Sequence, residues 1–166
     1  MKTNTDKVID NLRSYRAKKR MIQQLKFELQ NPSQISATEL LRAMSIGGAE
    51  YSTVHKGGVS DKTMAVVAHY SDTADRLNLE TLDDIKRELR ALMNETEKLE
   101  LYVSLLNERQ SRIIQFQYFE GKSWNEIEEE LNLSRSALAD IRRAGIDELV
   151  IMYEYITDIK YKTKSE

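Results

Sequence analysis

The chain has no cysteine among its 166 residues, which excludes a disulfide framework, a thiolate metal site and a catalytic thiol. It has one proline and six glycines, too little turn chemistry for a protein made of many short strands. No apolar run approaches the roughly 20 residues of a membrane-spanning helix, and the N-terminus has no apolar core of signal-peptide type. A cytoplasmic protein with no membrane partner is therefore expected. Neither His55 nor His69 has a companion ligand or nucleophile nearby in sequence, so they are read as loop and surface residues, and no metal, cofactor or enzymatic activity is expected.

What is abundant is helix-forming material. Hydrophobic residues make up 40% of the chain and charged residues 31%, with Leu, Ile, Glu, Lys and Arg dense throughout, so the expected fold is all-α. The net charge of −2 hides an uneven distribution. Residues 1–30 carry eight basic and three acidic side chains, a surplus of +5, whereas residues 31–106 carry eight against twelve, or −4. Residues 107–151 carry six against nine, or −3, and the last fifteen residues balance. The first two segments are electrostatically matched.

Val8, Leu12, Tyr15, Ile22 and Leu29 follow a repeat of about 3.5 residues and predict a helix over residues 5–30, ended by Asn31-Pro32. A short helix near residues 37–44 follows. The run SIGGAEYSTVHKGGVS then has two glycine pairs and no sustained period, and reads as a loop over about residues 45–60. Ser60 is positioned to cap a helix starting at Asp61. Leu82, Ile85, Leu89, Leu92, Thr96, Leu99, Val103 and Leu106 alternate three- and four-residue steps, predicting a helix of about 25 residues. The seam loses phase around residues 71–81, so continuity back to Asp61 is not expected. The basic first helix and this acidic one are expected to form an antiparallel hairpin or an oligomeric coiled coil.

The stretch GKSWNEIEEELNLSRSALADIRRAGIDEL, residues 121–149, combines an acidic cluster with three arginines. A helix through Ile113, Ile114, Phe116, Gln117 and Tyr118 ends near Gly121. Ser123 caps a helix over residues 124–131, Asn132-Leu133 makes a tight turn, and Ser134 caps a third helix. That order is the grammar of a helix-turn-helix. Leu138, Ile141, Gly145 and Leu149 share the inner face of the third helix, packing on Ile127 and Leu131. Ser136, Ala139, Asp140 and Arg143 point outward, with Arg135 and Arg142 on the flanks. Small residues allow close approach to a major groove, and arginine can grip guanine bidentately. With Ser134, Lys122 and Ser123, the outward and flanking residues other than Asp140 complete the candidate DNA-binding set. The acids Glu126, Glu128, Glu129 and Glu130 fit a solvated face and a favoured helix N-terminus better than a metal site. Trp124 is read as a buried anchor.

Residues 107–150 resemble region four of bacterial sigma factors, the helix-turn-helix that binds the −35 promoter element. The resemblance rests on Glu108-Arg109, Tyr118 before Glu120-Gly121, Ser123, Glu126-Ile127, Leu131, Ser134 and Arg142-Arg143-Ala144, in that order. The whole chain is similar to the ArpU/RinA-like regulators of phages and prophages: a basic first helix, a loop leading into SDKT at residues 60–63, a long helix and this module. That likeness implies late-gene control, double-stranded DNA as partner, and host RNA polymerase and a homo-oligomer as candidate partners. Gly145 stands where alanine is common, at a helix-propensity cost of about 1 kcal/mol. With three phenylalanines and one tryptophan, the chain lacks the aromatic, basic segment that melts a promoter, which points to an accessory regulator.

The expected organisation is a helical, oligomerising region over residues 1–106, the helix-turn-helix over 107–151 and a tail over 152–166. Two other classes compete with a transcription regulator. One is a small-terminase-like packaging protein, which also joins a helix-turn-helix to oligomerising helices. The other is a protein adaptor whose module no longer binds DNA, an idea the module's acidity supports, since phosphate neutralisation supplies much of DNA affinity.

Overall fold

The computed structural model describes residues 3–45 and 61–162. The expected loop over residues 45–60 and the expected cap at Ser60 lie almost wholly outside the described residues. In chain order the helices are α1 (Asn4–Gln30), α2 (Ala37–Ser45), α3 (Asp61–Ser104), α4 (Glu108–Ile114), α5 (Trp124–Leu131) and α6 (Arg135–Lys162). A π-helical stretch, Gln115–Glu120, continues α4. Among the described residues there is no strand, so the fold is all-α, as the composition predicts.

Local chemistry sets these boundaries. At the start of α1 the Thr3 N–H and hydroxyl donate to the Asp6 carboxylate at 3.0 and 2.8 Å, and the Asp6 N–H donates back to the Thr3 hydroxyl oxygen. Ser36 and Glu39 repeat the arrangement before α2. Each exchange satisfies backbone donors that a helix end leaves open. Burial of the Glu39 carboxyl is negligible, and its hydrogen bonds from Ser36 hold it below the usual carboxylate range.

α3 is one helix of 44 residues, so its continuity back to Asp61 differs from the expectation of a break. The seam does not vanish where the hydrophobic pattern lapses. Counting back from Leu82 by four-residue steps gives Asn78 and Ala74. Ala74 is buried and small, and Asn78 is polar but fully used: its side chain accepts from the Ile35 N–H at 2.9 Å and donates to the Ile35 carbonyl at 3.1 Å. A hydropathy reading misses both residues although both occupy the packed face.

The chain divides into two packed units, Met1–Gln23 with Ala91–Glu166, and Gln24–Arg90. In the second, Glu28 of α1 and Asn78, Leu82 and Ile85 of α3 line one groove, Leu25, Leu29, Leu82, Ile85 and Leu89 are half-buried, and Asn78 holds the segment between α1 and α2. In the first, α1 and α3 run antiparallel, shown by the pairing of Tyr15 with Glu100 and of Lys18 with Glu95. Val8, Leu12, Tyr15, Leu99, Val103 and Leu106 are buried there with Ile114, Ile146 and Leu149 in one cluster. α6 supplies the covering side chains, and it runs past Ile151 as helix to Lys162, with Tyr153 meeting Tyr102 edge-on at 4.9 Å. Burial, then the neighbouring Tyr102 and Glu95, push the Tyr153 phenol up to about 12.

Candidate nucleic-acid interface

A second, smaller cluster holds the C-terminal helices together: Ile113, Phe116, Ile127 and Leu138, with Trp124, Leu131, Leu133 and Ile141 packed around it. The adjacent residues Ile113 and Ile114 belong to different clusters, both fully buried. α4 is therefore the wall shared by the helix pair and the C-terminal module. It opens with a reciprocal cap between Asn107 and Gln110, and the buried Gln110 also donates to Glu148 on α6 at 3.2 Å. Gly145 explains itself here. An added Cβ would lie 3.0 Å from Ile114 Cδ1 and 3.2 Å from Gln110 Cβ, so the glycine lets α6 cross closely over α4.

The π-helical stretch ends at Gly121 in a left-handed conformation, φ 75°, which glycine adopts without steric cost. Ser123 then caps α5: its side chain accepts from the Glu126 N–H, and the Glu126 carboxylate accepts from the Ser123 N–H at 2.7 Å. Hydrogen bonds from Ser123 hold the Glu126 carboxyl low. α5 ends at Asn132, φ 49°, the tight turn read from Asn132-Leu133. Ser134 opens α6, its hydroxyl oxygen accepting from the Ala137 N–H at 3.3 Å. The C-terminal part of the chain is a helix-turn-helix module.

Residues 89–166 match the model of a helix-turn-helix family described as YlxM / p13 like. The matched region begins inside α3 and runs through α6; it covers slightly less than half of the chain and leaves α1 outside. No curated protein and no solved structure matches the chain. No helix among the described residues is long and apolar enough to cross a membrane.

The eight candidate DNA-binding residues are not equivalent in this geometry. Ser123 and Ser134 use their hydroxyls as helix caps. Lys122 is enclosed: its ammonium pairs with Glu130 and, at 3.1 Å, with Glu120, and sits 3.8 Å from the centre of the Phe116 ring. The Glu130 hydrogen bond, outweighing burial and helped by Glu120, raises its pKa. Arg135 reaches back to α5, donating to Asn125 at 2.5 Å and to Glu128 at 3.2 Å. It clasps the two helices, a role set by Asn125 and Glu128 facing it from α5. Arg142 lies over Trp124, 5.1 Å from the ring centre.

Ser136, Ala139 and Arg143 remain on the outer face with Asp140. Ser136 and Arg143 are exposed, Ala139 half-buried, and Arg143 approaches Asp140 at 3.7 Å while its side chain stays 74% exposed. Sequence reasoning did not single out Arg109 and Arg112 for a site. They line a groove of about 220 Å³ with Glu108, Leu131 and Leu133, beside the turn between α5 and α6.

Proposed function

We propose that the chain is a sequence-specific DNA-binding regulator of transcription, acting by binding and without a catalytic step or cofactor. The observation that carries this reading is the outer face of α6 immediately after the turn. Small side chains at Ser136 and Ala139 leave room for a groove wall, Arg143 is exposed beside them, and Arg135 fixes the angle between α5 and α6. In a helix-turn-helix this face enters the major groove, and a guanidinium there can make two parallel hydrogen bonds to guanine. The resemblance to sigma region four and to the ArpU/RinA-like regulators supports the finer reading: a phage or prophage late-gene regulator in the host cytoplasm, working beside host RNA polymerase, with self-association bringing modules to paired half-sites. A second reading, an adaptor that contacts polymerase without DNA, is favoured by the −3 charge over residues 107–151.

Selection of genomic duplexes by the purified full chain tests the first reading. On the selected duplex, Arg143→Ala costs about 1–3 kcal/mol and relaxes preference at one base position. Equal losses on random duplex would move Arg143 to a phosphate-contacting role. Retention of polymerase in a pull-down with no duplex selected would favour the adaptor.

A further inference from the structure

The basic surplus of α1 stands in the same packed unit as the helix-turn-helix, yet its cations are in two different situations. Lys18 is 2.8 Å from Glu95 and also donates to Asn11. Lys19 is 3.0 Å from Glu100, whose carboxylate also accepts from the Tyr15 hydroxyl at 2.6 Å. These lysines are neutralised within the helix pair. Arg16 and Arg20, one turn apart on α1, are exposed, and among the described residues neither meets a carboxylate.

Their position is fixed from below. Tyr15 stacks on Phe119 with ring centres 3.9 Å apart, which ties α1 to the end of the π-helical stretch. The Arg16 guanidinium lies directly over Gly121, where an added Cβ would collide with it. Tyr15, Arg16, Lys19, Arg20, Gln23 and Phe119 together line a shallow groove of about 360 Å³. The groove adjoins Gly121, which leads through Lys122 and Ser123 into α5.

We propose that Arg16 and Arg20 form a phosphate-binding patch that grips the backbone of duplex DNA flanking the bases met by α6. The proposal rests on the DNA-binding reading above and adds a part of the chain outside the family match. Charge complementarity identifies the occupant. The module carries a net −3 and its Lys122 and Arg135 are committed internally, so its exposed Arg109, Arg112 and Arg143 work against a surplus of carboxylates, whereas two guanidiniums within a turn of the basic α1 present planar forks matched to phosphate oxygens. The N-terminus of α5 is closed by its own Ser123–Glu126 cap, so the positive potential comes from the arginines.

The test measures binding of the full chain to the selected duplex and to a random duplex across a salt series. Arg16→Gln with Arg20→Gln lowers the slope of log affinity against log salt by about 2 and weakens binding on the order of tenfold at physiological salt, equally on both duplexes. Lys18→Gln with Lys19→Gln leaves that slope unchanged and lowers the melting temperature. An unchanged slope in the arginine variant, with its helicity intact, overturns the patch while leaving DNA binding by the module standing. Loss of polymerase retention in that variant with an unchanged DNA slope also overturns it and gives the groove to an acidic protein segment. A wild-type chain that binds neither duplex overturns both the patch and the reading beneath it.

Discussion

The same two helices, α1 and α3, form a seam in each packed unit, and the two stretches are not buried alike. In the unit that contains the helix-turn-helix, Leu12 and Val103 are fully buried and Val8 and Leu99 nearly so. In the other, Leu25, Leu29, Leu82, Ile85 and Leu89 keep part of their surface in water. From Leu82 to Leu106 the three- and four-residue spacing of α3 runs unbroken through both. A heptad pattern therefore tells which side chains face a partner helix, while depth of burial depends on a third layer, here the side chains of α4 and α6. A pair of helices alone cannot enclose its own seam.

Truncation breaks or upholds that contrast most directly. Leu12→Ala or Leu99→Ala removes buried methyl groups from a closed cluster and costs about 2–5 kcal/mol in urea denaturation. Leu29→Ala or Ile85→Ala removes the same groups from a half-open seam, where water already takes part of the surface, and costs about 1 kcal/mol. Equal losses at the four positions would mean that the third layer contributes nothing to the difference.

The next largest effect concerns how that layer comes close enough. Gly145 sits where α6 crosses α4, with Ile114 Cδ1 and Gln110 Cβ already within 3.0 and 3.2 Å of a Cβ that is not there. Ile114 is fully buried and Gln110 nearly so, so neither can swing into solvent. Gly145→Val overpacks the crossing and costs about 1–3 kcal/mol, despite better helix propensity than glycine. A melting temperature equal to or above that of the parent would show that α6 can shift outward freely, and the close crossing would lose its explanation.

Much of this arrangement is legible without coordinates, because the decisive signals are local. Ser123 and Ser134 can be read as caps, Asn132-Leu133 as a turn and Leu138, Gly145 and Leu149 as an inner face, since each follows from backbone hydrogen bonding or a short period. Asn78 is not legible: a polar residue at a seam position looks like an interruption until its partner, the Ile35 backbone, is known. Arg135 fails for a related reason. At the start of a third helix it looks like an outward arginine, and only the packing of α5 turns it toward Asn125 and Glu128. The difference between Lys18 and Lys19, paired with carboxylates, and Arg16 and Arg20, which meet none among the described residues, likewise depends on where Glu95 and Glu100 fall on the opposite helix.

The smallest effect separates the two stretches by acidity. The seam of the helix-turn-helix unit is flanked by a charged set, in which the Glu100 carboxylate accepts from Tyr15 and Lys19. Burial would raise the Glu100 pKa, but those hydrogen bonds and the Lys19 charge outweigh it and hold it below its ordinary value of 4.5. The other stretch is fastened by Asn78, which does not titrate. A carboxyl whose pKa is lowered by folding contributes stability that is complete above its unfolded value and disappears as pH falls through the folded one. The contribution of Glu100 is thus present at pH 7 and is lost as pH falls below the ordinary carboxylate range; because the side chain is 37% exposed, screening limits it to about 0.5 kcal/mol. Glu100→Gln, whose amide oxygen can still accept from Tyr15, is accordingly less stable than the parent at neutral pH and converges with it in acid. Asn78→Ala lowers stability by the same amount at both pH values. A Glu100→Gln deficit that persists undiminished in acid, where the carboxylate is protonated, would assign the loss to packing around the amide, and the charged flank would no longer distinguish one stretch of the seam from the other.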